Sequence, residues 1–157
     1  MFEKLRQIAW WICFVYVSIC LQTIKPGLDV LVVGVIILLQ EKDYKAMIWL
    51  LPLFCLVQEG IGTRPFGSAL LWYSVVVAFF LLGQWLFEAR NFLFIFLLSA
   101  SLGCAYFIIS WLMAPLQNLT FNIQATLDKS LTQALFIPFA WRALSALRPY
   151  EKTEEDE

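Results

Sequence analysis

The chain contains no histidine, and only 15% of its 157 residues are charged. Without histidine it lacks the side chain that most often serves as a general base or a metal ligand. The four cysteines stand singly in apolar runs, and no two have C-x-x-C spacing. No nucleophile–base pair or phosphate-binding loop is present either. We therefore predict no catalytic residue, no metal site and no cofactor, and the residue types argue against an enzyme.

Apolar side chains dominate what is present. The chain is 61% hydrophobic and 17% aromatic, whereas a soluble domain is about 45–50% apolar. The net charge of −1 favours neither nucleic-acid binding nor a basic surface arm. The composition therefore predicts an all-α integral membrane protein that forms one compact bundle.

The spacing of the apolar runs predicts six transmembrane helices. They cover residues 5–21, 28–40, 46–58, 66–87, 92–113 and 131–147. Pro52 and Pro138 are expected to kink the third and sixth helices, and Pro115 to end the fifth. Residues 116–130 are interpreted as a partly amphipathic connection. We assign residues 1–149 to the membrane domain and residues 150–157 to a charged, disordered cytoplasmic tail.

The distribution of basic residues predicts the orientation of the bundle. With the N-terminus inside, eight of the eleven lysines and arginines fall on the inner side and three, Lys25, Arg64 and Lys129, on the outer side. This bias follows the positive-inside rule and places both termini in the cytoplasm. Five tryptophans fall near predicted helix ends and are assigned to the membrane interface; they are Trp49, Trp72, Trp85, Trp111 and Trp141.

The second and third predicted helices are short. Each has 13 residues, or about 20 Å of helix, against a hydrocarbon core of about 30 Å. If the charged turn between them lies in cytoplasmic water, both helices end part-way across the membrane. Asp29 and Glu59 then lie at similar depth toward the outer face.

This depth makes the bend after the third helix the candidate functional site. It combines charged residues with glycines and proline between two apolar runs; with the second helix it supplies Asp29, Glu59, Gly60, Gly62, Arg64, Pro65 and Gly67. One interpretation is a polar pocket or partner-docking notch that opens to the outer face. The other is a structural ion pair that holds helices two to four in register. The sequence leaves both open.

A second feature is a run of small residues in the fifth helix. Ser99 and Gly103, like Ser101 and Ala105, are four residues apart, a spacing that lets helices approach closely. We favour packing within the chain over a seam for a partner.

Several short segments resemble the MreD family of bacterial rod-shape proteins. Gln58-Glu59 followed by Pro65-Phe66-Gly67 resembles the family segment between the third and fourth spans, which carries Gln-Asp and Pro-Leu-Gly. Pro26 and Asp29 resemble the Pro-Asp that opens its second span. The segment from Pro138 to Arg148 resembles the end of its last span. The chain departs from the family pattern at Glu59, at Arg64 and in the two residues between Pro26 and Asp29.

The resemblance implies a fold similar to the substrate-binding S components of energy-coupling-factor transporters. It also implies a non-enzymatic scaffold in the bacterial inner membrane that binds the single-span protein MreC. Through MreC it would act with a RodA-type glycosyltransferase, a class B penicillin-binding protein and the actin-like MreB. The alternatives are an S component for vitamin uptake and an adaptor of another membrane complex. Trp10 and Trp11 in the first helix weigh against uptake, because S components carry small residues there.

Overall fold

The computed structural model describes residues 2–60, 67–88, 91–116, 120 and 122–147, with the backbone alone at residues 2–4. Within these ranges all regular structure is helical, which confirms the predicted all-α class. The six helices are α1 (Phe2–Ile24), α2 (Leu31–Gln40), α3 (Tyr44–Gly60), α4 (Ser68–Leu86), α5 (Phe92–Leu116) and α6 (Ile123–Leu147). The predicted tail at 150–157 lies outside the described residues.

Three of the helices are long and apolar enough to cross a membrane. They are α1 over Leu5–Ile24, α4 over Ser68–Leu86 and α5 over Phe92–Leu116. Most residues of these windows are not buried inside the protein. Large apolar side chains cover their outer surfaces, as at Ile12 and Leu82. A surface of this kind is expected to contact lipid rather than water.

Helix α2 forms the centre of the bundle. Its residues Leu31 to Leu39 are all buried, and α3, α4 and α6 pack around it. Phe14 of α1 covers Gly34, where a Cβ atom would lie 2.6 Å from the ring. A helix that is apolar on every side must be surrounded on every side, which explains why the second apolar run has no polar stripe. Its ten residues confirm the predicted short helix, about 15 Å long.

Contacts between side chains fix the helix directions. The start of α2 contacts Gln133 of α6, and Gln40 at its end accepts a hydrogen bond from Trp141 of α6; α2 and α6 are therefore parallel. Trp72 packs edge-on against Tyr106 of α5. Further along α4, Gly83 faces Phe94, which lies near the start of α5. Helices α4 and α5 are therefore antiparallel.

Several predicted helix ends are wrong. Helix α3 has 17 residues instead of 13, with two more at each end. At its start, Asp43 accepts a hydrogen bond from the Ala46 amide and caps a helix that begins at Tyr44. Its length is about 25 Å, so only α2 is markedly short. Helix α5 continues through Pro115 to Leu116 instead of stopping before the proline.

The connection predicted at residues 116–130 is also wrong over its second half. Helix α6 begins at Ile123, eight residues earlier than expected. The Asn122 side chain caps it by accepting a hydrogen bond from the Ala125 amide at 3.1 Å. Most of the first two turns are exposed, including Asp128 and Lys129. These polar residues form the end of a long helix and not a loop.

The small residues of α5 pack against α6. A Cβ atom on Gly103 would lie 2.9 Å from the Cβ of Ala134 and 3.3 Å from the Ser130 carbonyl oxygen. The Ser130 hydroxyl donates a hydrogen bond to the Gly103 carbonyl. Ser101, in contrast, is exposed. The expectation that this run packs within the chain is confirmed at Gly103.

The five tryptophans assigned to the interface fall into two groups. Trp49, Trp85 and Trp111 are exposed, at 82%, 87% and 60%. Trp72 and Trp141 are buried and donate hydrogen bonds inside the bundle. The prediction is wrong for this pair, because an indole N–H can pair with a buried acceptor as well as with the headgroup region.

Candidate functional site

Asp29 lies at the N-terminal end of α2 and is 1% exposed. The preceding turn positions it: Gly27 has φ +96°, a left-handed conformation that favours glycine. The side chain of Lys129 packs against this glycine. Asp29 Oδ1 accepts a hydrogen bond from the Val32 amide at 3.3 Å. The carboxylate thus satisfies a free N–H at the positive end of the α2 dipole.

Side chains from two further helices converge on the same carboxylate. Gln58 of α3 donates from Nε2 to Oδ1 at 2.7 Å. On α4, Trp72 donates from Nε1 to Oδ2 at 2.9 Å, and the Tyr73 hydroxyl donates to Oδ1 at 3.2 Å. All three side chains are buried. Adjacent residues of α4 therefore reach both oxygens of one carboxylate.

Helix α6 joins the group through the backbone of Asp29. Gln133 accepts the Asp29 amide N–H on Oε1 at 2.7 Å and donates from Nε2 to the Asp29 carbonyl at 2.8 Å. The Gln133 amide thus makes the two hydrogen bonds that the Asp29 backbone would otherwise make within a helix or a sheet. We refer to Asp29, Gln58, Trp72, Tyr73 and Gln133 as the Asp29 cluster.

The Asp29 cluster compensates for the burial of a carboxylate. Moving an ionisable group out of water is costly unless it is hydrogen-bonded, and bonds to a carboxylate are among the strongest in proteins. An ionised carboxylate offers about four lone-pair sites. The amide of Val32 and the side chains of Gln58, Trp72 and Tyr73 supply four donors. Three of them reach Oδ1 and one reaches Oδ2, and the burial of Asp29 leaves little of this carboxylate accessible to a ligand.

Glu59, the other predicted carboxylate, faces a different way. Its Oε1 atom accepts the Gly67 amide N–H at 2.9 Å, and Gly60 beside it ends α3. Gly67 has φ +81° and directly precedes α4. Glu59 therefore links the end of α3 to the start of α4. The Asp29 cluster and Glu59 lie at the same end of α3, as the helix lengths predict.

Three of the predicted site residues lie outside the described residues: Gly62, Arg64 and Pro65. The ion pair that would hold helices two to four in register therefore stays a prediction. What the described residues do contain is a set of uncharged donors around Asp29. These donors link helices two to four.

Sequence reasoning missed three members of the Asp29 cluster. Trp72 was assigned to the interface, and Tyr73 and Gln133 were not singled out. The available signals were a glutamine inside the apolar run of the sixth helix and a Trp-Tyr pair at the start of the fourth. Both are polar groups within apolar runs, where partners inside the protein are expected.

Gln22 on α1 is the exception to this pattern of satisfied groups. It is 2% exposed, and neither its Nε2 nor its Oε1 atom has a hydrogen-bond partner among the described residues. It continues the buried face of α1 that carries Trp11, Phe14 and Ser18 at intervals of three and four residues. A buried amide without partners costs about 1–3 kcal/mol.

Replacing Gln22 with methionine is therefore expected to stabilise the protein. Methionine has a similar length and no amide to desolvate, so the melting temperature should rise by about 2–4 °C for each 1 kcal/mol gained. Tryptophan fluorescence during heating in detergent measures this. Thr23→Val, at the exposed neighbouring position, is the control and should change the melting temperature little. A lower melting temperature for Gln22→Met would show that the amide has a polar partner.

The described residues contain no group of three or more acidic, cysteine or histidine side chains that could hold a metal ion. The Asp29 cluster is closed and hydrogen-bonded, which suits a structural role better than acid–base chemistry. Its residues come from four helices, so its hydrogen bonds form only when these helices are packed together. No family model, no curated protein and no solved structure matches the chain.

Proposed function

We propose that this chain is a non-enzymatic membrane scaffold of the MreD type. In this function it spans the bacterial inner membrane six times, binds an MreC-like single-span protein and helps to organise lateral peptidoglycan synthesis. A RodA-type glycosyltransferase, a class B penicillin-binding protein and MreB are its indirect partners. It needs no cofactor.

One observation carries this proposal. The segments that resemble the MreD family are far apart in the sequence, yet Asp29 of the second helix accepts a hydrogen bond from Gln58 of the third. Glu59, the next residue, contacts Gly67 at the end of the same family-like segment. Two short motifs that converge in space form one structural unit. Their resemblance is therefore less easily explained by chance than that of isolated motifs.

The proposed topology rests on the helix directions and on the distribution of charge. A chain that crosses the membrane once with each helix reverses direction at every helix. The parallel pair α2 and α6 and the antiparallel pair α4 and α5 fit this pattern. Eight basic residues against three favour cytoplasmic termini. In this orientation the Asp29 cluster lies toward the outer face, where the periplasmic part of a single-span partner begins.

The alternative function is an S component for the uptake of a vitamin. Two observations weigh against it. The Asp29 carboxylate is already occupied by protein donors. On α1 the Trp10 ring stacks on Phe14, and Trp11 meets both rings edge-on, so that bulky rings occupy the part of the helix where S components carry small residues. A genomic neighbourhood with an actin-like gene favours the scaffold, and one with a pair of transport ATPases favours uptake.

Co-purification with an MreC-like protein tests the proposed function. Wild-type protein should retain the partner in mild detergent, and Glu59→Ala should weaken the association about two- to fivefold, the effect of a partly exposed charge. Arg64→Ala should act in the same direction. Quantitative immunoblotting of the retained partner, normalised to the amount of this protein in the membrane, gives the measurement.

Glu88→Ala is the matched control, because Glu88 is exposed and belongs to the turn after α4. It should retain the partner at wild-type strength. If Glu59→Ala and Arg64→Ala also do so, the notch does not bind the partner. If wild-type protein retains no partner while deletion of its gene abolishes uptake of a vitamin, the alternative function is correct.

A further inference from the structure

A groove of about 510 Å³ runs between α1 and α3 on the outside of the bundle. Its walls are apolar, with Trp11, Val15 and Ile19 on one side and Leu50 and Leu53 on the other. We call it the α1–α3 groove. It is separate from the Asp29 cluster, none of whose members lines it. In a membrane protein such a groove faces hydrocarbon.

The amide and the carboxylate that line the α1–α3 groove lie at one end. Gln7 and Asp43 line it there, at the start of α1 and in the turn before α3. Asp43 is half-buried, and its Oδ1 atom accepts the Ala46 amide. Lys42 and Lys45, both exposed, flank it in the chain. This end of the groove is therefore lined by a carboxylate, and two exposed ammonium groups that do not line it lie one and two residues away in the chain.

The length of the groove is close to the hydrocarbon thickness of one membrane leaflet. From Gln7 to Ile19 the helix rises about 18 Å, at 1.5 Å per residue. The hydrocarbon core is about 30 Å thick, so that each leaflet contributes about 15 Å. A transmembrane helix of a partner would need apolar contact over the whole thickness. A single acyl chain attached to a headgroup at the polar end needs only this length.

We propose that the α1–α3 groove binds one phospholipid with an amine-bearing headgroup, of the phosphatidylethanolamine class. The acyl chain lies between α1 and α3. The ammonium group of the headgroup pairs with Asp43, and its phosphate pairs with the neighbouring lysines. A zwitterionic headgroup complements a site of mixed charge better than an anionic one does. The assignment to the inner leaflet rests on the orientation proposed above; the binding itself does not.

Native mass spectrometry of the full-length protein tests this, with equal amounts of phosphatidylethanolamine and phosphatidylglycerol added. We expect wild-type protein to retain phosphatidylethanolamine preferentially. Asp43→Asn removes the charge but keeps an equally good helix cap. It should reduce the preference about three- to fivefold, as expected of a partly exposed ion pair. An unchanged preference would overturn the headgroup assignment.

Filling the groove tests the site of the acyl chain. Leu53→Trp places an indole in the groove and should abolish lipid retention, and Ile12→Trp should do the same from the opposite wall. Leu56→Trp is the matched control, because Leu56 is an exposed residue of α3 that does not line the groove. If both groove variants retain the lipid, the proposal is wrong. It is equally wrong if wild-type protein forms a dimer that Leu53→Trp disrupts, since a second copy would then occupy the groove.

Discussion

Replacing Asp29 with alanine is expected to lower the free energy of unfolding by more than about 3 kcal/mol, because three buried side-chain donors lose their acceptor at a cost of about 1–3 kcal/mol each. These donors belong to Gln58, Trp72 and Tyr73. The Val32 amide at the start of α2 also loses its cap. Thermal unfolding in detergent should show a melting temperature lower by roughly 10 °C or more.

A double-mutant cycle identifies the cause of this loss. Trp72→Phe removes one donor and keeps an aromatic ring in the same place. In this background Asp29→Ala leaves one fewer unsatisfied group, so its effect should be smaller than in wild-type protein. Asp128→Ala removes an exposed carboxylate of α6 and should change the melting temperature by little. If the effects of Asp29→Ala and Trp72→Phe simply add, the indole and the carboxylate do not act together.

The same variant distinguishes the two interpretations of the polar notch. If Asp29 is structural, Asp29→Ala destabilises the protein, and partner binding declines only as far as folded protein is lost. If Asp29 binds the partner directly, the melting temperature is unchanged while partner retention falls. The burial of the carboxylate and its bonds to buried donors favour the first outcome. Glu59 is less buried than Asp29 and remains the better candidate for direct contact.

The sequence allowed Asp29 to be predicted as a site residue but not its partners. A carboxylate beside an apolar run is conspicuous, and counting residues from the charged turn placed it level with the end of the third helix. Which side chain there would meet it depends on the rotation of α3 about its axis. Successive residues of a helix point about 100° apart, so that Gln58 faces Asp29 while Glu59 faces the loop. No local pattern specifies that rotation.

The starts of α3 and α6 could have been predicted from local sequence. Caps are local, and both Asp43 before α3 and Asn122 before α6 are typical capping residues. The predicted helix starts follow the apolar runs instead of these caps. Hydropathy indicates which residues prefer hydrocarbon, but it does not indicate where a helix begins. The first turns of α6 are helical and polar at once. Hydropathy alone therefore placed the start of this helix eight residues too late.

Replacing Gly103 with leucine is expected to separate α5 from α6 locally. A Cβ atom at this position already meets Ala134 and the Ser130 carbonyl, so no rotamer of a larger side chain relieves the contact. Overpacking costs about 1–3 kcal/mol, and loss of the bond from the Ser130 hydroxyl to the Gly103 carbonyl adds about 1 kcal/mol. We expect the melting temperature to fall by roughly 5–10 °C. Cys104→Leu, at the exposed adjacent position, should have little effect.

The contact between Gly103 and Ala134 can be tested with methyl groups alone. Gly103→Ala places two Cβ atoms 2.9 Å apart, and Ala134→Gly removes one of them. Alone, Ala134→Gly should destabilise α6 by about 1 kcal/mol, because glycine weakens a helix interior. Combined with Gly103→Ala, it should cost less or even restore the melting temperature. Additive losses would mean that α5 and α6 do not meet at this pair.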